Sequence, residues 1–373
     1  MTEWPGDTGF LDLMDTVNTN NLKRSLRVIF TDMKRTFWIL AARPSLIPAG
    51  IRIHLHQRKA AKLRRKARAD GLDVPVMMLI SITSQCNLSC NGCYMQQRHT
   101  RPEPELSAEE LRSVVLQAEE LGISVISFVG GEPLLRKNDL VTLARSFPGL
   151  LFTLSTNGLL IDEGVAEELA GCANLVPFIS FEGLEKETDR CRGPGVFDRL
   201  LDACSLLNTR VLFFGCAVTV SRNNFREVLD ESFIRTILDA GARAFIYIQY
   251  VPARPGTDDL VPTREEREVL VRSIRDFNRD YPAFFIGIPG DMELFGGCLA
   301  AGRGFVHVNP CGDLEPCPVV SLSDVNLRIV PLREALRSRL LRAIRLNHRV
   351  LRADGRCVLR TDPQWPEKII SRK

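Results

Sequence analysis

The sequence has no apolar run of the roughly 18 to 20 residues that a membrane-spanning helix needs. Its first residues, MTEWPGDTGF, lack the basic-then-apolar order of a secretory signal peptide. Charge of one sign is not in excess either. The 49 basic and 45 acidic residues leave a net charge of +4, too balanced for a dedicated nucleic-acid-binding protein. We therefore expect a cytoplasmic protein, either free in the cytosol or peripheral to the membrane.

Several common catalytic signatures are missing as well. No GxGxxG follows the first predicted strand, no glycine-rich P-loop occurs, and no Gly-x-Ser-x-Gly is present. These absences leave nicotinamide, nucleoside triphosphate and serine hydrolase chemistry without support. The basic segments also lack the clustered aromatic residues that stack nucleic-acid bases.

What the chain does have is 11 cysteines. In a reducing compartment a disulfide framework is not expected, and clustered cysteines indicate metal or redox chemistry instead. Several of the cysteines stand in helical or strand patterns; Cys204, for example, shares an apolar stripe with Leu200 and Leu207 and is typical of a small hydrophobic core residue.

Composition divides the chain into three predicted regions: 1–74, 75–290 and 291–373. In the first region, residues 52–70 hold eight Lys or Arg against one acid in a stretch that favours a helix ending near Gly71. A solvated helix and a basic amphipathic helix that contacts anionic lipid or an acidic partner both fit this pattern. The preceding stretch, Leu26 to Ile47 with Trp38, is more apolar and could pack on the main domain or rest on a surface.

The second region alternates short apolar runs with helical periods. The runs are rich in β-branched and aromatic residues, as buried parallel strands are, and they lie at 76–82, 124–129, 150–155, 175–181, 211–219 and 244–250. Ser107 with Glu110 and Thr263 with Glu266 form capping boxes that open two of the helices. Six strand–helix units over this length predict an α/β fold, a partial (β/α)6 TIM-like barrel with its chemistry at the carboxyl ends of the strands. The third region predicts a β-hairpin around 305–313 and a helix from Pro331 to about His348.

The strongest local signal is the spacing Cys86-x3-Cys90-x2-Cys93, immediately after the first predicted strand. A structural zinc site needs four protein ligands, and no fourth Cys or His follows at finger spacing; His99 is near but is typical of a loop histidine. A four-iron cluster held by three thiolates leaves one iron open for another ligand. The spacing therefore favours an iron–sulfur cluster with a reactive position.

This loop resembles the signature of the radical SAM superfamily, and the resemblance extends over roughly residues 76–360. It implies that Cys86, Cys90 and Cys93 hold a 4Fe–4S cluster whose open iron binds the amino and carboxylate groups of S-adenosylmethionine. The residue before the last cysteine is usually aromatic in this family, whereas Gly92 stands here. The resemblance implies that Gly92 contacts adenine through its backbone.

Further positions follow at successive strand ends. Gly130-Gly131-Glu132 is similar to the family's GGE motif, which binds the methionyl ammonium of the cofactor. Ser155, Asn157 and Ser180 match positions that contact the ribose or the cofactor carboxylate, although polar residues there also satisfy turn backbone. Cys191, in a loop after the fourth predicted strand, is a candidate catalytic thiol acting on substrate.

The third region resembles the first half of the SPASM cysteine pattern, in the shortened form known as a Twitch domain, which holds one auxiliary iron–sulfur cluster. Cys298, Cys317 and Cys357 match best, and Cys311 is a candidate fourth ligand. A structural zinc on the same residues remains open.

The resemblance as a whole implies an oxidoreductase or transferase-type enzyme that cleaves S-adenosylmethionine reductively and removes a hydrogen atom from a substrate carbon. A flavodoxin- or ferredoxin-type electron donor is expected. A peptide, a small molecule and a lipid remain open as substrates. The other classes are a non-catalytic iron–sulfur electron carrier or zinc-stabilised binding protein, and an RNA-modifying enzyme of the same superfamily.

Overall fold

The computed structural model describes residues 43–95, 104–252, 256–288 and 298–347, together with residues 357, 359 and 364. Most of the Leu26–Ile47 stretch, with Trp38, and also His99 and the basic tail lie outside the described residues. Within them, no helix is long and apolar enough to cross a membrane.

The centre of the molecule is one mixed sheet, with strand order β7-β6-β5-β4-β3-β2-β1-β8-β9. Every neighbouring pair from β7 to β8 is parallel, and only β9 runs antiparallel to its neighbour, β8. The strands are β1 (Met77–Thr83), β2 (Val125–Gly130), β3 (Leu151–Thr156), β4 (Leu175–Phe181), β5 (Gly215–Val220), β6 (Ala244–Gln249), β7 (Phe284–Ile288), β8 (Phe305–Val308) and β9 (Leu314–Glu315). This is the predicted α/β partial-barrel class, with two more parallel strands, β7 and β8, than the six that the prediction gave to the barrel.

Helices follow most strands and bury their apolar stripes against one face of the sheet. They are α1 (Ile47–Ala69), α2 (Ala108–Leu121), α3 (Lys137–Ser146), α4 (Glu163–Ala170), α5 (Glu185–Arg192), α6 (Val196–Thr209), α7 (Phe225–Val228), α8 (Glu231–Asp239), α9 (Arg264–Asp280), α10 (Leu332–Ala335) and α11 (Arg339–Leu346). Both predicted capping boxes are confirmed, at the starts of α2 and α9. Each satisfies two backbone N–H groups that the first helical turn leaves free.

Two predicted boundaries are wrong. The fifth strand begins at Gly215 rather than at 211, because the Leu212 N–H donates to the Leu207 carbonyl at 3.1 Å and closes the preceding helix. The single helix predicted from Pro331 is two helices. Ser338 interrupts it, since its side chain accepts a hydrogen bond from the Leu341 N–H at 3.2 Å and so caps α11.

We call the edge at which the parallel strands end the carboxyl edge, and the edge at which they begin the amino edge. Helix α1 lies along the amino edge. Gln57 on α1 donates to the Ser124 carbonyl, just before β2, at 3.1 Å. Arg43, just before α1, donates to the Leu212 carbonyl, which precedes β5, at 3.1 Å. The helix therefore covers the side of the sheet opposite to the cysteine loop that follows β1.

The predicted hairpin is confirmed as β8 and β9, and it joins the main sheet through β8. A buried chain of hydrogen bonds fixes this attachment. His307 on β8 contacts Ser81 Oγ through Nε2 at 2.8 Å and Glu315 Oε2 through Nδ1 at 2.7 Å. All three side chains are buried, so the polar groups of three strands, β1, β8 and β9, satisfy one another where water is excluded.

Candidate functional site at the carboxyl edge

The three cysteines of the CxxxCxxC loop lie just beyond the end of β1, at the carboxyl edge. Cys86 is exposed, whereas Cys90 and Cys93 are half-buried. Cys86 and Cys93 each act electrostatically on the Cys90 thiol, so the three side chains share one neighbourhood. In the described part of the chain, no three Cys, His, Asp or Glu side chains are placed to surround a single metal ion. Three thiolates that each bond a different iron suit a cluster.

The surroundings of Cys86 and Cys90 favour the protonated thiol. Burial raises the pKa of Cys86, and burial also raises the pKa of Cys90 while the nearby Arg192 guanidinium opposes that rise. Binding of iron would remove these protons, because the thiolate is the form that ligates metal. Arg192 therefore supplies positive charge beside the position where negative charge would collect.

The glycine pair after β2 lets two backbones touch. Gly130 has φ of +126°, in the region that favours glycine, and a Cβ there would lie 2.5 Å from the Thr83 carbonyl oxygen. A Cβ on Gly131 would lie 1.9 Å from the Gln85 carbonyl oxygen, one residue before Cys86. The Gly131 N–H donates to the Thr83 carbonyl at 2.9 Å. The glycines therefore hold the base of the cysteine loop against the end of β2.

Glu132 is fully buried, and its carboxylate forms hydrogen bonds within the protein. Its carboxylate accepts hydrogen bonds from the Leu134 N–H at 2.9 Å, from the Thr156 hydroxyl at 2.7 Å and from the Asn157 N–H at 2.7 Å. Burial raises the pKa of this carboxyl group, and these donors oppose the rise. In this arrangement Glu132 ties the end of β2 to the end of β3.

The strand-end residues predicted from the resemblance lie at the same edge. Asn157 Nδ2 donates to Asn87 Oδ1 at 2.7 Å and lies 3.8 Å from Cys86 Sγ, which links the end of β3 to the cysteine loop. Ser155 and Ser180 are half-buried at the ends of β3 and β4. Because alternate residues of a strand share a face, Ser155 lies on the same side of β3 as Thr153, not on the side of the buried Leu154.

Gly92 and Cys191 both belong to the surroundings of the cysteine loop. Gly92 has φ of +88°, which explains a glycine where the family usually has an aromatic residue. The Asn91 N–H donates to the Cys191 carbonyl at 2.9 Å, and the Cys191 thiol lies 3.4 Å from the Asn91 carbonyl oxygen. Burial raises the pKa of Cys191 to about 12. Cys191 lies in helix α5 rather than in the predicted loop, because the backbone of Glu185–Arg192 is helical, and its contacts with Asn91 attach it to the cysteine loop.

Sequence reasoning missed a buried ion pair beside the loop. Arg192, the last residue of α5, donates from Nη2 to Glu182 Oε1 at 2.8 Å, while its Nε is buried with no hydrogen-bond partner in the described part of the chain. A buried guanidinium N–H left over in this way suits a carboxylate ligand. The available signal was an arginine just before the glycine-rich turn Gly193–Gly195, at the predicted active edge.

Two residues from distant parts of the chain anchor the other side of the loop. Glu105 Oε1 accepts hydrogen bonds from the Ser84 N–H and hydroxyl, both at 2.7 Å. Arg328, from the third region, donates to the carbonyls of Pro104 and Glu105, both at 2.9 Å. No local pattern in the sequence marks these contacts.

The C-terminal cysteines form a second group. The Cys317 thiol is affected electrostatically by Cys298 and by Cys357, so the structure brings these three together. Burial raises the pKa of Cys317 and of Cys298. Cys298 precedes β8 and Cys317 follows β9, which places both at the amino edge.

Cys311 lies elsewhere. It is in the turn between β8 and β9, where its carbonyl accepts a hydrogen bond from Asn326 at 3.1 Å and the neighbouring Pro310 carbonyl binds the Leu106 N–H at 2.7 Å. This turn is at the carboxyl edge, at the other end of the hairpin from Cys298 and Cys317. β8 has four residues, so at ~3.3 Å per residue the paired part of the hairpin is about 10 Å long.

Comparisons with known proteins agree with this arrangement. The model of the radical SAM superfamily matches residues 80–240. The AdoMet-dependent heme synthase of Methanosarcina barkeri is 27% identical over 292 residues, 70% of this chain and 82% of that protein. The mycofactocin maturase MftC of Mycolicibacterium smegmatis is 31% identical over 265 residues, 66% of this chain and 65% of that protein.

A solved structure shares the fold. The crystal structure of Streptococcus suis SuiB bound to the precursor peptide SuiA superimposes with a TM-score of 0.58 at 19% identity, covering 75% of this chain and 69% of SuiB. Enzymes of the matched family use a 4Fe–4S cluster and S-adenosylmethionine. This chain has a parallel sheet with a cysteine loop after its first strand. Residues 80–240 therefore form a radical SAM domain, and the chain is similar to enzymes of that superfamily over 66–70% of its length.

Proposed function

We propose that Cys86, Cys90 and Cys93 hold the 4Fe–4S cluster and that S-adenosylmethionine binds beside it at the carboxyl edge. The observation that carries this assignment is the contact of the cysteine loop with the Gly130-Gly131 backbone and with Asn157. It joins the ends of three neighbouring strands into one site. The cluster held by these cysteines would supply the electron for reductive cleavage of S-adenosylmethionine, and that cleavage would permit removal of a hydrogen atom from a substrate carbon.

The residues of the chain bind and orient the cofactor. The Glu132 carboxylate already accepts three hydrogen bonds from the protein, so we assign the methionyl ammonium to the Gly130-Gly131-Glu132 segment, with its backbone carbonyls as further acceptors beside Glu132 Oε2. The unpaired Nε of Arg192 suits the methionyl carboxylate, because a guanidinium binds a carboxylate with charge-assisted hydrogen bonds. Ser155, Asn157 and Ser180 would contact the ribose or carboxylate, and the Gly92 backbone the adenine.

We propose a peptide as the substrate. MftC is named a maturase, the relative from Rhizobium meliloti at 28% identity is named PqqA peptide cyclase, and SuiB was solved with a precursor peptide. The heme synthase relatives favour a second candidate, a tetrapyrrole. A change in the Soret absorption of an added iron porphyrin on titration with the protein would support the second candidate over the first.

The grouping of Cys298, Cys317 and Cys357 supports an auxiliary iron–sulfur cluster at the amino edge. With Cys311 at the opposite end of the hairpin, three cysteines would hold it and a fourth position would be filled by another ligand. We propose the regions 1–74, 75–290 and 291–373 as the functional units, with the third sharing the main sheet through β8. A flavodoxin- or ferredoxin-type protein would supply the electron.

The decisive test is release of 5′-deoxyadenosine by the full chain, reconstituted anaerobically with iron and sulfide and given S-adenosylmethionine and dithionite. The matched control replaces Cys86, Cys90 and Cys93 by Ala and leaves Cys298, Cys317 and Cys357 in place. We expect release by the native chain and none by the control.

Two other results would change the assignment. Equal release by native and control chains would place the chemistry outside this loop. A fully iron-loaded native chain that neither releases 5′-deoxyadenosine nor binds S-adenosylmethionine in equilibrium dialysis would point to a non-catalytic electron carrier.

A further inference from the structure

Helix α1 presents an outward stripe of unusual composition. Ile47, Ile51 and Leu55 recur every four residues, and their side chains are 39%, 57% and 59% exposed. The side buried against the rest of the molecule carries Ala60, Ala61, Arg64 and Ala67 instead. Since residues three or four apart share a helix face, the three aliphatic side chains line one solvent-facing row.

The same row continues as a line of cations. Arg58, Lys62 and Arg65 follow Leu55 at spacings of three, four and three residues, and all three are exposed. No acidic residue occurs in the 23 residues of α1. The whole chain has a net charge of only +4, so α1 concentrates positive charge on one side of the molecule.

The surroundings of α1 extend this cationic side. Arg337, between α10 and α11, is exposed and donates to the carbonyl of Asp70, the residue after α1, at 3.4 Å. Helix α11 adds Arg339 and Arg342, both exposed, and has no acidic residue. Cations therefore border the C-terminal half of α1, and the aliphatic residues occupy its N-terminal half.

We propose that α1 docks on a membrane surface that contains anionic lipid, with Ile47, Ile51 and Leu55 entering the headgroup region and Arg58, Lys62 and Arg65 contacting lipid phosphates. An interfacial helix combines these two features, aliphatic insertion and attraction to anionic headgroups. An acidic protein would account for the cations alone, whereas a lipid surface accounts for the aliphatic residues in the same row.

This docking has a consequence for the substrate. The outward row of α1 is at the amino edge, and the cysteine loop is at the carboxyl edge on the far side of the sheet. A docked molecule therefore turns its candidate site toward water and takes its substrate from solution. The proposal does not depend on iron–sulfur chemistry, so it stands or falls separately from the proposed function.

The test is co-sedimentation of the full chain with vesicles of phosphatidylcholine alone, or of phosphatidylcholine with about one third phosphatidylglycerol. We expect binding only to the anionic vesicles. The variant Arg58→Glu/Lys62→Glu should weaken it by roughly fivefold or more for each cation removed. The variant Ile51→Ser/Leu55→Ser should weaken it by roughly tenfold, through the lost insertion.

Matched controls lie away from the amino edge. Arg264→Glu/Arg272→Glu reverses two exposed cations on α9, and Ile329→Ser removes an aliphatic side chain that is 83% exposed. Both should bind as the native chain does. Circular dichroism melts of all variants check that each one folds.

Three results would overturn the proposal. The first is equal binding to both vesicle types or to neither. The second is a loss in the α9 control as large as in the α1 charge variant, which would mean diffuse attraction. The third is full vesicle binding by Ile51→Ser/Leu55→Ser together with tight, charge-dependent binding of the native chain to poly-glutamate, which would assign the face to an acidic partner.

Discussion

The two edges of the sheet are built in different ways. At the carboxyl edge, backbone meets backbone: the Gly131 N–H binds the Thr83 carbonyl, and no side chain separates the two loops. At the amino edge, side chains join the α1 region to the sheet, since Gln57 and Arg43 donate to carbonyl groups that precede the strands. Close backbone packing holds the residues of a site in fixed positions, but it tolerates almost no substitution of the residues that make the contact. Side-chain contacts tolerate more, and we expect the two edges to respond differently to mutation.

Substitution of Gly131 should have the largest effect. In Gly131→Ala the new Cβ would lie 1.9 Å from the Gln85 carbonyl oxygen, so the cysteine loop must move. We expect at least a hundredfold loss of 5′-deoxyadenosine release, because a displacement of about 1 Å can cost about that much in rate. Gly164→Ala is the control. Its Cβ comes no closer than 3.4 Å to any neighbour, and it should retain native activity. An active Gly131→Ala enzyme would mean that the loop adapts.

Loss of the Glu132 carboxylate should have the next largest effect. Glu132→Ala leaves the Leu134 and Asn157 N–H groups and the Thr156 hydroxyl buried without their acceptor. We expect the free energy of unfolding to fall by about 2–4 kcal/mol, since each orphaned buried donor costs about 1–3 kcal/mol and neighbours relax in part. Urea unfolding of the iron-free protein measures this directly. A loss below about 1 kcal/mol would show that water replaces the carboxylate.

How well the sequence predicts these edges depends on the range of the contacts. The cysteine spacing, the glycine pair and both capping boxes are local patterns, and each lies where its pattern indicated. Each of these patterns arises from interactions within a few residues, so it can be recognised in a single stretch of the sequence. The parallel strands followed in the same way from short β-branched runs.

Long-range contacts were not predictable in this way. Arg328 donates a hydrogen bond to the Glu105 carbonyl, 223 residues earlier in the sequence. Neither residue lies in a sequence pattern that predicts the other as its partner. The seventh strand, Phe284–Ile288, has only one buried residue, so its place in the sheet became evident only from its pairing with β6. Arg192 was overlooked for another reason, because its burial accompanies the ion pair with Glu182, ten residues earlier in the sequence.

His307 provides a smaller test at the hairpin. His307→Ala removes the link between Ser81 and Glu315 and leaves both of these buried side chains short of a hydrogen bond. We expect a loss of about 2–3 kcal/mol in the free energy of unfolding, whereas His54→Ala, at an exposed position of α1, should change it by less than about 0.5 kcal/mol. Urea titrations of both variants make the comparison, and equal values would mean that the buried chain contributes no net stability.

The smallest predicted effect distinguishes the cysteines at the two ends of the β8–β9 hairpin. Cys317→Ala removes one of the three grouped cysteines and should lower the iron and sulfide bound by the reconstituted chain, relative to the native protein. Cys311→Ala changes a residue in the turn at the carboxyl edge, and we expect iron content and the electron paramagnetic resonance spectrum of the reduced protein to stay unchanged. Because β8 and β9 run antiparallel, a residue in the turn cannot reach the open end of the hairpin without unpairing it. An iron loss in Cys311→Ala equal to that in Cys317→Ala would therefore require a different pairing of these strands, and with it a different geometry for the auxiliary cysteines.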